Sequence, residues 1–158
     1  MEEWQSGRLH LSWKQESWKR DREFESHLLR IMRYLGIDFG SKRVGVAMSD
    51  EAGRFAMPHS VLANDKNLVN EVAKICAAEK VTEIVIGKSL NYQNQPNPIL
   101  AASVEFTTEL AEKTKLPINW EQEFLTSQEA KRDIGKDDLY DARAAALILK
   151  SYLDRLYS

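Results

Sequence analysis

Asp38 is the residue of this chain best placed to do chemistry. It lies in Leu35-Gly36-Ile37-Asp38-Phe39-Gly40-Ser41-Lys42-Arg43-Val44-Gly45-Val46-Ala47-Met48-Ser49-Asp50. The stretch reads as a β-hairpin: an apolar strand, a tight Gly-Ser-Lys-Arg turn, and a return strand alternating Val44, Val46 and Met48. A carboxylate inside an apolar strand is costly unless positive charge meets it; a divalent cation or a metal-bound phosphate would do so. The glycines leave the backbone bare, so a large polyanion is expected to approach closely. The plainer reading is turn chemistry, with Asp38 bonding local amides. Other acids converging on Asp38 would decide between the two.

Two distant clusters supply such acids. Glu121-Gln122-Glu123 ends a short strand, and Asp137-Asp138-Leu139-Tyr140-Asp141 opens the last helix. Asp138 and Asp141 are three apart, so both project from one side of the helix start. Carboxylates from three separate elements are the arrangement that holds Mg²⁺ or Mn²⁺ through oxygen ligands, and two such ions can drive phosphodiester hydrolysis. Each acid also has a structural reading. Asp137, Asp138 and Asp141 would complement a helix dipole, and Glu121 and Glu123 would form a solvated strand end. Asp141 differs in heading the run Ala142-Arg143-Ala144-Ala145-Ala146, whose small side chains would let the helix lie close on a sheet and bring Asp141 to Asp38.

The elements that must position these acids alternate in type. Strands are expected at about Tyr34–Phe39 and Val44–Ser49, with a short third strand near Phe55–Met57, before Pro58. A helix from about Asn67 has Leu68, Val69, Val72, Ile75 and Cys76 on one face. The run Thr82–Gly87 is a short buried strand, and the polar, Pro-rich stretch 91–98 is a loop. A helix at about Ile99–Lys115 leads to a strand at Ile118–Glu121. Thr126, with Glu129 at the capping-box position, starts a helix to about Ile134, ended by Gly135. The last helix runs from about Leu139 to Leu156, with Ala144, Ala145, Leu147, Ile148 and Tyr152 as its apolar stripe. A hairpin section followed by βαβ crossovers predicts an α/β protein with a mixed sheet and helices on both faces.

The 158 residues bound the alternatives. Residues 32–158 carry 16 Lys and Arg against 18 Asp and Glu, so this is no strongly basic domain. Arg43, in the turn nearest Asp38, is nevertheless the leading candidate for gripping phosphate, with Lys42 and Lys88 beside it and Lys131, Arg132 and Arg143 as a further rim; surface solvation is the alternative for each and the favoured one for Lys131 and Arg132. No apolar run approaches the roughly 18 residues of a membrane span. The lone Cys76 excludes a disulfide framework and fits a reducing, cytoplasmic setting. Cys76 itself reads as a core residue.

Residues 1–31 differ in composition from the rest. They hold Trp4, Trp13, Trp18, His10 and His27, without a helical or strand period and without a signal peptide's apolar region. Arg22-Glu23-Phe24-Glu25-Ser26 can be encoded by DNA containing GAGTTCGAATC, which resembles the T-arm of a tRNA gene. The expectation is an N-terminal extension outside the natural protein, with Met32 as the start. The rival is a real helix or disordered arm with Trp18, Phe24, Leu28 and Leu29 packing on the domain. The domain proper is residues 32–158.

Gly36-x-Asp38-x-Gly40-x-x-Arg43-x-Gly45-Val46-Ala47-x-Ser49-Asp50 resembles the signature of the YqgF family, RNase H-like nucleases described as Holliday junction resolvases and as the pre-16S ribosomal RNA nuclease. Ile84-Val85-Ile86-Gly87, Glu123-Phe124-Leu125-Thr126-Ser127-x-Glu129-Ala130 and Asp141-Ala142-Arg143-Ala144-Ala145-Ala146-Leu147-Ile148-Leu149 resemble its later segments in order and spacing. The resemblance implies an RNase H-like fold with a five-stranded mixed sheet. It implies Asp38, Glu123 and Asp141 as catalytic, metal-binding carboxylates for Mg²⁺ or Mn²⁺. Asp138 is an extra metal ligand candidate, because some related resolvases carry two acids three apart here. It further implies maturation of the 5′ end of small-subunit ribosomal RNA, with the small ribosomal subunit as a partner. A monomer or weak homodimer is the expected working form. Two departures stand out. Phe124 replaces an Arg that could grip phosphate bidentately, and Gly87-Lys88-Ser89 replaces Gly-Leu-Pro, so that Lys88 would partly offset the loss.

Two rival functions keep the fold. One changes the substrate to branched DNA; the other is a non-catalytic nucleic-acid-binding or transcription-regulating protein, a reading to which Phe124 lends weight and the three acids do not. An actin-like ATPase, which also uses Asp-x-Gly hairpins, needs two lobes and about 200 residues or more, which this domain lacks.

Overall fold

The computed structural model of the chain describes residues 31–88, 98–122 and 139–158. The expected extension before Ile31, most of the Pro-rich loop and the helix at Thr126–Ile134 lie outside these residues.

Among the described residues, five strands and three helices follow in the order β1 (Tyr34–Phe39), β2 (Arg43–Ser49), β3 (Ala56–Ala63), α1 (Leu68–Ala78), β4 (Glu83–Lys88), α2 (Pro98–Thr114), β5 (Ile118–Gln122) and α3 (Tyr140–Leu156). The strands form one mixed sheet in the order β3-β2-β1-β4-β5. β1 and β2 pair antiparallel as the expected hairpin, with Asp38 opposite Gly45, and the turn closes where Gly40 N–H donates to the Arg43 carbonyl at 3.1 Å. β4 adds parallel to β1, and β5 parallel to β4, as βαβ crossovers require.

Strand alternation divides the side chains between two layers. Leu35, Ile37, Phe39, Val44, Val46, Met48, Ile84 and Ile86 point to one face, where α1 and α2 cover them with Leu68, Val72, Cys76, Phe106 and Leu110. Tyr34, Ala47 and Val85 point to the other, under Ala145, Ile148, Leu149 and Leu153 of α3. Each fully buried Leu or Ile contributes roughly 2 kcal/mol, so these layers fix the sheet. Cys76 belongs to the first layer, and burial pushes its thiol up to about 11.

Two element expectations need correction. β3 runs eight residues, through Pro58 instead of ending before it. It is an edge strand, paired only with β2, so the missing N–H of Pro58 can face away from the ladder. A register shift places Ser60 opposite Val46 and Pro58 opposite Ala47, which leaves His59 as a bulge. In α3, Leu147 is 46% exposed, and the buried stripe is Ala142, Ala145, Leu149 and Leu153 together with Ala144 and Ile148. Spacings of three and four place those residues on one face and turn Leu147 away from it.

The open end of the hairpin is tied by polar contacts from the same motif. Ser49 Oγ accepts the Tyr34 N–H at 2.8 Å and donates to the Asp50 carbonyl at 2.9 Å. Asp50 Oδ1 accepts from the N–H groups of Arg54 at 2.7 Å and Phe55 at 3.0 Å. Burial opposes ionisation of Asp50, but these amide bonds and Arg33 outweigh it and hold the carboxyl below its ordinary value. Among the described residues, no helix is long and apolar enough to cross a membrane.

Candidate active site

The site is built where the first turn of α3 crosses β2. A Cβ added to Gly45 would stand 1.8 Å from the Asp141 carbonyl oxygen, and one added to Gly36 would stand 2.8 Å from Leu149 Cβ and 2.9 Å from the Ala145 carbonyl. Only glycine lets the helix seat this deeply. The bare backbone of Gly36 and Gly45 is therefore filled by α3 and not by a polyanion, and Gly40 faces the carbonyl of its own turn at Arg43. That corrects the expectation for the glycines. The alanines of α3 do what was expected of them: Ala142 and Ala145 are fully buried against the sheet.

This close seat brings two of the expected acids together. Asp38 is half-buried at the end of β1, on the face that carries Tyr34 and Gly36 and therefore toward α3. Its Cα partner is Gly45, and the Asp141 backbone lies directly on Gly45. Tyr140, a residue the sequence reading passed over, joins them. Burial, and then the negative charges of Asp38 and Asp141, push its phenol above the ordinary tyrosine value, so both carboxylates lie within electrostatic reach of one hydroxyl. A tyrosine beside an acid has no sequence period to mark it, and only the fold places it here.

Arg43 completes the cluster. Its Nε donates to Asp141 Oδ2 at 3.0 Å. Asp141 also lies in the first turn of α3, at the positive end of the helix dipole. Lys42, next in the turn, is exposed. Lys88 is not brought to this cluster. It follows Ile84 and Ile86 in alternation and lines a groove with Leu100, Val104, Thr107, Thr108 and Trp120, on the α2 side of the sheet.

Glu121, weighed as a site acid or a solvated strand end, is neither. It is 4% exposed, accepts a hydrogen bond from Ser151 Oγ at 3.1 Å and is ion-paired with Arg155. These partners lie at the far end of α3 from Asp141, so Glu121 pins the helix's last turns to β5. A buried carboxylate needs such a partner.

The donor set suits a hard divalent cation, because carboxylate oxygens gather here without thiol or imidazole. Asp38 and Asp141 are the two whose charges both reach Tyr140. Glu123 and Asp138 lie outside the described residues, and among the described residues no group of three His, Cys, Asp or Glu stands together as a metal site.

Comparison with known proteins agrees with this frame. RuvC of T. thermophilus in complex with a Holliday junction superposes with a TM-score of 0.56 at 14% identity, over 79% of this chain and 96% of that one. A second structure of Thermus thermophilus RuvC gives 0.53 at 13%, over 80% and 97%. A protein of Syntrophomonas wolfei described as "Putative pre-16S rRNA nuclease" is 35% identical over 133 residues, covering 78% of this chain and 94% of its own. One of Oenococcus oeni with the same description is 36% identical over 137 residues, covering 78% and 95%. The model of the RuvX family, described as Holliday junction resolvase, matches residues 32–155.

Fold and relatives together define a nuclease of the RNase H-like class, a hydrolase of phosphodiester bonds. Within that class, the chain belongs to the RuvX (YqgF) family.

Proposed function

We propose that this protein is a metal-dependent endonuclease that cuts structured RNA and matures the 5′ end of the pre-16S ribosomal RNA. The observation that carries the proposal is the seat of α3 on Gly45, which sets Asp141 beside Asp38 at one end of the sheet. The relatives described as pre-16S rRNA nucleases support the substrate. The nuclease unit is residues 32–158, and its setting is the cytoplasm, with the small ribosomal subunit as a partner and a monomer or weak homodimer as the working form.

Asp38 and Asp141 are assigned as carboxylate ligands of Mg²⁺ or Mn²⁺. Glu123 is the third, on the resemblance of the Glu123–Ala130 segment to that of the family. Asp138 is a fourth donor. Bound there, the ion supplies Lewis-acid stabilisation and a water of lowered pKa. Arg43 and Lys42 sit in the turn beside Asp38 and are assigned to substrate phosphate. Lys88 keeps a phosphate role only for a strand that passes the end of β4 on the α2 side.

Branched DNA remains the second reading, favoured by the family description and by the RuvC fold. Carboxylates that hold metal do not read a 2′-hydroxyl, so substrate choice is settled by assay. With Mg²⁺, the protein is expected to cut a pre-16S leader–16S junction RNA at least tenfold faster than a four-way DNA junction; the reverse ratio would establish the resolvase reading.

A further inference from the structure

Arg43 was expected to reach outward for phosphate, yet its Nε rests on Asp141 Oδ2. The arrangement is anchored on both sides. Asn64 bonds the hairpin turn twice, its N–H donating to the Lys42 carbonyl at 2.9 Å and its Nδ2 to the Gly40 carbonyl at 2.7 Å. Asp141 is fixed by the contact of its backbone with Gly45. The Arg43 side chain is 53% exposed and that of Asp141 21%, so the pair is open to solvent and to ligand exchange.

We propose that Arg43 couples metal loading to substrate binding: its guanidinium occupies Asp141 in the free protein and competes with the divalent cation until a substrate phosphate draws it away. The inference rests on the assignment of Asp141 as a metal ligand. The competition follows from charge. A guanidinium on a carboxylate neutralises part of the field that attracts a cation, and it repels a doubly charged ion in proportion to both charges. The opposing effect, pre-ordering one carboxylate side chain, saves the freedom of a single short residue and is the smaller. The exchange is stereochemically simple. The contact to Asp141 uses Nε, and the guanidinium's remaining N–H donors form a planar fork suited to phosphate. A phosphate that engages the fork weakens the hold on Asp141, and by linkage the cation must strengthen phosphate binding to the same degree.

The test is the Mn²⁺ affinity of the full-length protein without nucleic acid, read by electron paramagnetic resonance, for wild type, Arg43→Gln, Arg43→Lys and Asp141→Asn. Arg43→Gln is expected to bind Mn²⁺ about three- to tenfold tighter, and Arg43→Lys, which keeps the charge, is expected to stay within about twofold of wild type. A short single-stranded DNA oligonucleotide, added as a phosphate source, should raise the Mn²⁺ affinity of wild type more than that of Arg43→Gln. Unchanged or weaker Mn²⁺ binding in Arg43→Gln would overturn the competition and make Arg43 a mere orienting group. An equal rise with oligonucleotide in both proteins would overturn the coupling. Asp141→Asn separates the two levels: if it leaves Mn²⁺ binding intact, the metal assignment itself fails, whatever Arg43 does.

Discussion

At the scale of single residues, the family signature divides into chemistry and carpentry. Asp38 and Arg43 carry charge at the site, whereas Gly36 and Gly45 make room for α3, and Ser49 and Asp50 knit the hairpin's open end. Residue types and spacing drew attention to Asp38 and Asp141, because a charge in an apolar strand and an acid heading an alanine run both break a pattern. They were not enough for Glu121, whose burial depends on Arg155 and Ser151 reaching it from a distant helix, nor for Tyr140. Tyr140 offers a direct check on the juxtaposition. The charges of Asp38 and Asp141 help hold its phenol protonated above the ordinary tyrosine range, so removing one negative charge must lower its pKa. In ¹³C-tyrosine spectra recorded against pH, Asp38→Asn should shift the Tyr140 titration downward. An unmoved titration would mean that the carboxylate and the phenol are not neighbours.

At the scale of elements, the decisive contact is a helix on a strand. The hairpin, α1 and β4 follow from local alternation and period, and the structure places them within a residue or two of expectation. β3 was underestimated because a proline normally ends a strand, and edge position is a property of the sheet and not of the segment. The apolar stripe of α3 was misjudged at Leu147 because a helix rich in Ala and Leu offers apolar residues on several faces, and only the sheet selects one. The seat of α3 gives a sharp expectation. Gly45→Ala places a methyl group 1.8 Å from the Asp141 carbonyl, which backbone can relieve only by shifting. Overpacking of this kind costs about 3 kcal/mol. Thermal unfolding should therefore show a loss of that order, with nuclease activity falling further than stability because Asp141 moves with the helix. Wild-type stability in Gly45→Ala would mean that α3 does not depend on this contact.

At the scale of the whole molecule, the strand order β3-β2-β1-β4-β5 sets the hairpin's Asp38 in the middle strand, with α3 across one face. The mixed character of the sheet was legible from a hairpin followed by crossovers. Which strand each crossover joins was not, since the partners in β1 and β4, such as Tyr34 and Glu83, lie 49 positions apart. The same topology explains why Lys88 stands apart: it shares a sheet end with Asp38 but faces α2. On the proposed reading, a near-neutral domain with a small acidic centre and a turn carrying Lys42 and Arg43 would rely on a few local contacts for its substrate and not on a broad basic surface. The central claim is that the carboxylates gathered under α3 make this fold a nuclease. The most direct measurement is the Mg²⁺-dependent rate of cleavage of a pre-16S leader RNA by Asp38→Asn beside wild type, with matched circular dichroism spectra. Losing the several kcal/mol of charge stabilisation that a metal site provides should slow cleavage by at least about a hundredfold at unchanged fold; a correctly folded Asp38→Asn protein that cuts at the wild-type rate would contradict the account.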